Sequence, residues 1–186
     1  MKVFETAIAG VKILEPKLFG DARGYFFESW NQAKFAEVGI NVDFVQDNES
    51  FSTYGVLRGL HYQMPPYTQA KLVRVIDGIV LDVVVDIRKN SPTFGKSVSV
   101  ELSGENKRQL FAPRGMAHGF AVLSPTATFA YKCDNIYAPS HERSIRFDDP
   151  ELDIDWRISP KDYLLSKKDH EGVPFKKAEY LSEEGV

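Results

Sequence analysis

From residue 41 to residue 135 the chain is a nearly unbroken succession of strand-length runs: "NVDFVQDNESFST", "VLRGLHYQ", "KLVRVIDG", "IVLDVVVDIR", "GKSVSVELS", "RQLFA", "HGFAVLS" and "TATFAYKCDN". Short runs rich in β-branched and aromatic residues, broken at regular intervals by turn residues, predict an all-β antiparallel sandwich or barrel. The Asp-Gly of "IDGIV" is the strongest hairpin signal, because that pair suits a turn with positive φ. "RKNSPTFG" and "LSPTAT" read as loops. Upstream, "GVKIL" and "GYFFESW" are short strands. "NQAKFAEVG" is a short helix that Asn31 caps and Gly39 ends. After Asp148 the chain changes to loops and short helices. The expectation is one domain over residues 1–186, with residues 149–186 as a C-terminal extension packed on the barrel.

The length of 186 residues permits a substantial core, and the net charge of −3 argues against a broad nucleic-acid or membrane surface. Cys133 is the only cysteine, so no disulfide forms within the chain and a reducing, cytoplasmic setting is expected. The N-terminal "MKVFETAIAGVKILEP" lacks the sustained apolar core of a signal peptide.

Polar groups inside the strands are the anomaly. Gln46 and Asn48 share one face of "FVQDNES". Lys71 opens "KLVRV", His118 sits in "GMAHGFAV", and Tyr131 and Tyr137 in "TFAYKCDNIY". A closed sheet of about eight strands holds one small ligand in its mouth, so these groups could line a polar pocket. "VLRGLHYQ" poses the sharpest question. Arg58 and His61 are three apart and should face opposite sides of a strand unless Gly59 bends it. From residue types alone His61 is a structural histidine, a metal ligand or a base. Lys71 could snorkel at a strand end, and the tyrosines could be core aromatics. Arg23 could cap a turn, Glu28 face solvent, and Asp169 in "SKKDHEG" belong to a solvated surface. There is no H-x-H pair and no spaced cysteine cluster. Arg and Lys beside a divalent cation oppose its binding, so no metal site is expected.

The runs "LFGDARGYFFESWN", "FVQDNESFSTYGVLRGLHYQ", "QAKLVRVIDGIVLDVVVDIRKNSPTFGK", "LFAPRGMAHGFAVLS", "YKCDNIYAP" and "DDPELDIDW" together resemble the dTDP-4-dehydrorhamnose 3,5-epimerases, in order and spacing over nearly the whole chain. The resemblance implies a cupin-type jelly roll with short peripheral helices and a homodimer with an exchanged N-terminal strand. It implies no metal and no organic cofactor. The implied substrate is dTDP-4-dehydro-6-deoxy-D-glucose, inverted at C3 and C5 to dTDP-4-dehydro-β-L-rhamnose on the route to dTDP-L-rhamnose.

Both protons are α to the C4 ketone, so the reaction needs a base, an acid on the opposite face and a group that stabilises an enolate oxygen. By the resemblance His61 is the base, Asp169 its partner, Tyr131 the acid and Lys71 the group at the oxygen. A carboxylate beside His61 is expected to favour its protonated form. Arg23, Arg58 and Lys168 match nucleotide-contacting positions, and Glu28 the thymine. Phe19, Phe26 and Tyr137 match apolar or stacking positions. Gln46, Asn48, His118 and Glu142 match other substrate positions. Arg23, Phe26 and Glu28 are expected to serve the partner's site. The competing readings are an epimerase of one centre only, a metal-dependent cupin enzyme and a non-catalytic sugar-nucleotide binding module.

Overall fold

The computed structural model describes residues 1–181. The strands are β1 (Lys2–Glu5), β2 (Lys12–Glu15), β3 (Phe19–Asp21), β4 (Gly24–Phe26), β5 (Gln46–Thr53), β6 (Leu57–Gln63), β7 (Lys71–Asp77), β8 (Ile79–Asp86), β9 (Ser97–Ser103), β10 (Gln109–Ala112), β11 (Met116–Val122), β12 (Thr126–Cys133) and β13 (Glu142–Ser144). Two short helices, α1 (Gln32–Ala36) and α2 (Lys167–His170), flank them. One sheet runs β1-β2-β10-β7-β12-β5, a second β13-β6-β11-β8-β9, and β3 pairs with β4 alone. Pairing between these strands is antiparallel throughout. Among the described residues no helix is long and apolar enough to cross a membrane.

The two large sheets face each other. Val73, Val75, Leu110 and Phe129 from the six-stranded sheet meet Val80, Val84, Leu102 and Phe120 from the five-stranded one in a single apolar cluster. This is the antiparallel sandwich expected from the strand pattern, of the jelly-roll type that the resemblance implied. The outer face of the five-stranded sheet is covered as well. Leu81, Val83 and Val85 of β8 pack there with Leu152, Trp156, Ile158, Phe175 and Leu181. Residues 80–86 of β8 are therefore all buried, a pattern more usual in sheets layered on both sides. On the other sheet Phe35 and Ile40 cover Leu14, Leu72 and Phe111. Asn31 caps α1 as expected, its side chain accepting from the Lys34 N–H.

Two expectations need correction. The Asp77–Gly78 turn closes no hairpin, because β7 lies in the six-stranded sheet and β8 in the five-stranded one. The turn chemistry is right, with Gly78 at φ 83°, but it carries the chain across the sandwich. The run from residue 41 becomes a strand only at Gln46. The preceding Val42 and Phe44 pack on the cluster around Phe35 instead.

Candidate active site

The arrangement begins with an irregularity in β6. Its neighbour β11 pairs His118 with His61 and Phe120 with Arg58, so three steps on β6 match two on β11. One extra residue in a strand is a β-bulge, which re-aims side chains. It places Arg58 and His61 on the same side, which a regular strand forbids. Gly59 makes this possible. Its φ is 133°, and a Cβ there would lie 2.5 Å from Gly119 Cα. A Cβ on either glycine would run into the other's backbone, and the Gly59–Leu60 peptide is cis.

Between the sheets lies a cavity of about 580 Å³. From the five-stranded sheet it receives Arg58, His61, His118 and Glu142, and from the six-stranded sheet Gln46, Asn48, Lys71 and Tyr131. Tyr137, Lys168 and Asp169 complete its wall.

His61 and Asp169 form its centre. His61 Nε2 lies 2.9 Å from Asp169 Oδ1, at ion-pair distance but off the line of a straight hydrogen bond. Asp169 is buried and heavily bonded. Its Oδ1 accepts the Gly59 N–H at 3.0 Å. Its Oδ2 accepts the Ser166 hydroxyl at 2.5 Å and the Ser166 N–H at 3.2 Å. The Ser166 hydroxyl in turn accepts the Asp169 N–H, completing a capping box on α2. Burial opposes ionisation of Asp169, but the close His61 contact and the hydrogen bonds from Ser166 and Gly59 outweigh it and hold the carboxyl well below the usual range.

Burial likewise dominates at His61. It pushes the imidazole below its ordinary value of 6.5, with Lys168 and Lys71 adding to the push and Asp169 only partly opposing it. The carboxylate favours the protonated form, as expected, but desolvation exceeds its pull. At neutral pH His61 is a neutral imidazole able to take a proton.

Tyr131 stands on the facing sheet. Burial and the nearby Cys133 raise its pKa above 10, so it holds its proton. Lys71 Nζ lies 6.0 Å from the Tyr131 ring centroid. Among the described residues no carboxylate is within ion-pair distance of it, and burial lowers its pKa. Glu142 is held by Lys168 on one oxygen and by the Tyr137 hydroxyl at 2.8 Å on the other. Gln46 donates to Asn48 at 2.9 Å and accepts the Tyr137 N–H at 2.9 Å. Arg58 donates to Ser52 at 3.1 Å.

A family model described as dTDP-4-dehydrorhamnose 3,5-epimerase matches residues 5–177. The chain belongs to that family. A Shigella flexneri dTDP-4-dehydrorhamnose 3,5-epimerase is 57% identical over 182 residues, covering 97% of this chain and 99% of its own. The solved epimerase of Elizabethkingia anophelis is 53% identical with a TM-score of 0.93, covering 97% of this chain and 99% of that one. The Legionella pneumophila dTDP-6-deoxy-D-glucose-3,5-epimerase, solved with dTDP-4-keto-L-rhamnose, is 51% identical with a TM-score of 0.92. It covers 96% of this chain and 94% of its own.

Eleven of the fifteen residues matched to epimerase positions in the sequence line this cavity. Phe19, Arg23, Phe26 and Glu28 do not. Phe19 and Phe26 sit opposite each other on the β3–β4 hairpin, 55% and 69% exposed. Arg23 folds back on Asp21 at 2.6 Å, and Glu28 pairs with Lys34 at 2.6 Å. Sequence reasoning missed Ser166 and the Gly59 N–H, which hold Asp169. Ser166-x-x-Asp169 is a capping-box spacing, so the first was detectable. It also missed Asp82, which sits against His118. Among the described residues no three His, Cys, Asp or Glu side chains gather as a metal would require.

Proposed function

We propose that this chain inverts C3 and C5 of dTDP-4-dehydro-6-deoxy-D-glucose, giving dTDP-4-dehydro-β-L-rhamnose, a step toward dTDP-L-rhamnose. One observation carries the reading: a neutral, carboxylate-backed histidine and a protonated tyrosine enter one cavity from opposite sheets. Removal of a proton from one face and its return to the other is the chemistry such a pair performs.

His61 takes the α-proton. Asp169 holds Nε2, so Nδ1 is the nitrogen left for the substrate. The imidazolium that forms gains the full attraction of the ionised carboxylate beside it. Charge then develops on the C4 oxygen, where the Lys71 ammonium stabilises it in a site of low dielectric. Tyr131 returns a proton from the facing side. The same set serves C3 and C5 as the ring presents each in turn. The C4 ketone acidifies both protons, so the steps call for no cofactor. Arg58 and Lys168 supply cationic groups for the diphosphate. Gln46, Asn48, His118, Tyr137 and Glu142 contact the rest of the substrate.

Phe19, Arg23, Phe26 and Glu28 are read as reaching a second copy's cavity within a homodimer that exchanges its N-terminal strand. Their positions away from this chain's own cavity support that reading. The chain is read as one cupin-like domain, its C-terminal extension supplying Asp169, at work in the cytoplasm, where a lone buried thiol stays reduced.

The test is to incubate the EDTA-treated protein with the 4-keto sugar nucleotide in deuterated water and follow both carbons by NMR. Deuterium at C3 and C5 with inversion of both is expected. Exchange at one carbon alone indicates a single-centre epimerase. Absence of exchange until metal is added contradicts the mechanism.

A further inference from the structure

Among the buried carboxylates that the mechanism leaves without a part, Asp82 pairs with a histidine that lines the cavity. Asp82 lies on β8 and is fully buried. Its oxygens are 2.9 and 3.1 Å from His118 Nε2, its single ion-pair partner among the described residues. His118 is itself buried and stands in register with His61 on the neighbouring strand. Two histidine–carboxylate pairs thus sit side by side on one wall. Asp169 is shared among His61, Gly59 and Ser166, whereas among the described residues Asp82 has His118 as its side-chain partner. A buried carboxylate is costly unless a charge or hydrogen bonds offset it.

Lys71 faces this pair from the other sheet. The charged and titratable groups around it include Cys133 and Tyr131 on β12, Asp82 on β8, Glu142 on β13, His61 on β6 and Lys168 on α2. Burial pushes the Cys133 thiol up to about 11, so it is neutral at working pH. Glu142 is already bound to Lys168 and Tyr137. Of the two carboxylates that act on Lys71, Asp82 is the one with no lysine or arginine partner among the described residues.

We propose that Asp82 is a positioning residue of the reaction. It fixes His118 with Nε2–H turned toward β8, leaving Nδ1 as the ring nitrogen for the sugar, and its charge keeps Lys71 protonated at the enolate oxygen. The proposal rests on the epimerase reading above. Asp82→Asn keeps the shape and removes the charge.

The variant is expected to lose roughly tenfold to a hundredfold in kcat, less than the loss of an oxyanion donor outright, with dTDP affinity within about twofold of wild type. The alkaline limb of its kcat profile should move to lower pH, because Lys71 loses a neighbouring negative charge. Unchanged kcat, or a loss of kcat with an unmoved alkaline limb, overturns the proposal. Should the variant fail to fold, ¹⁵N NMR of the wild-type histidines decides. An Nε2–H tautomer of His118 is expected, and a neutral tautomer protonated only at Nδ1 overturns the proposal. A wild-type protein without epimerase activity counts against the functional reading instead, while the NMR still reports the Asp82–His118 pair.

Discussion

At the scale of single residues the site is governed by a competition between burial and charge. At His61 burial wins, and the imidazole is neutral when substrate arrives. At Asp169 the donors win, and the carboxylate stays ionised. The two outcomes together make a base with a fixed counter-ion. Asp169→Asn removes the main influence that raises the His61 pKa. The acid limb of kcat/KM should therefore move to still lower pH, while kcat falls on the order of 10²–10⁴-fold. A pH–rate profile decides, and a limb that stays put or moves up contradicts the assignment. These positions were marked by the resemblance to the epimerases, since residue types alone left His61 open among three roles and read Asp169 as solvated surface. The direction of the His61 shift was not legible in the sequence, because desolvation depends on what packs around the ring.

At the scale of elements, the bulge in β6 and the cap of α2 are joined by one side chain. Asp169 accepts from Gly59 in the first and from Ser166 in the second, so it registers the C-terminal segment against the catalytic strand. Ser166→Ala removes a cap, worth about 0.5–2 kcal/mol, and leaves the carboxylate short of a donor. Denaturant unfolding should report a loss of that size and kcat should fall, with Ser166→Thr recovering both. Full activity in Ser166→Ala contradicts the link. The strand runs and the α1 cap at Asn31 could be read from local pattern. The partnering of strands could not: Asp77–Gly78 has the chemistry of a hairpin turn, yet it joins two sheets. Turn chemistry fixes backbone angles, whereas the partner of a strand is fixed by the packing of the whole.

At the scale of the molecule, the five-stranded sheet is a layer between two cores. Its inner face meets the other sheet and its outer face meets the C-terminal segment. The apolar residues on both faces of β8 foreshadowed this, but nothing local named the segment that covers it. Trp156 is the large anchor of that second core, buried and donating from Nε1 to the Phe147 carbonyl at 2.8 Å. Trp156→Ala should cost about 3–5 kcal/mol, read as a lower urea midpoint at unchanged slope. A small cost would mean that the segment is only loosely attached to the sheet.

The claim that ties the scales together is that one base serves both carbons. The most direct measurement is deuterium incorporation at C3 and C5 by wild type and His61→Asn, side by side on the same sugar nucleotide. Exchange at both carbons in wild type, and its loss at both together in the variant with dTDP binding retained, is the predicted result. Exchange that survives at either carbon in His61→Asn would mean that a second base operates in the cavity.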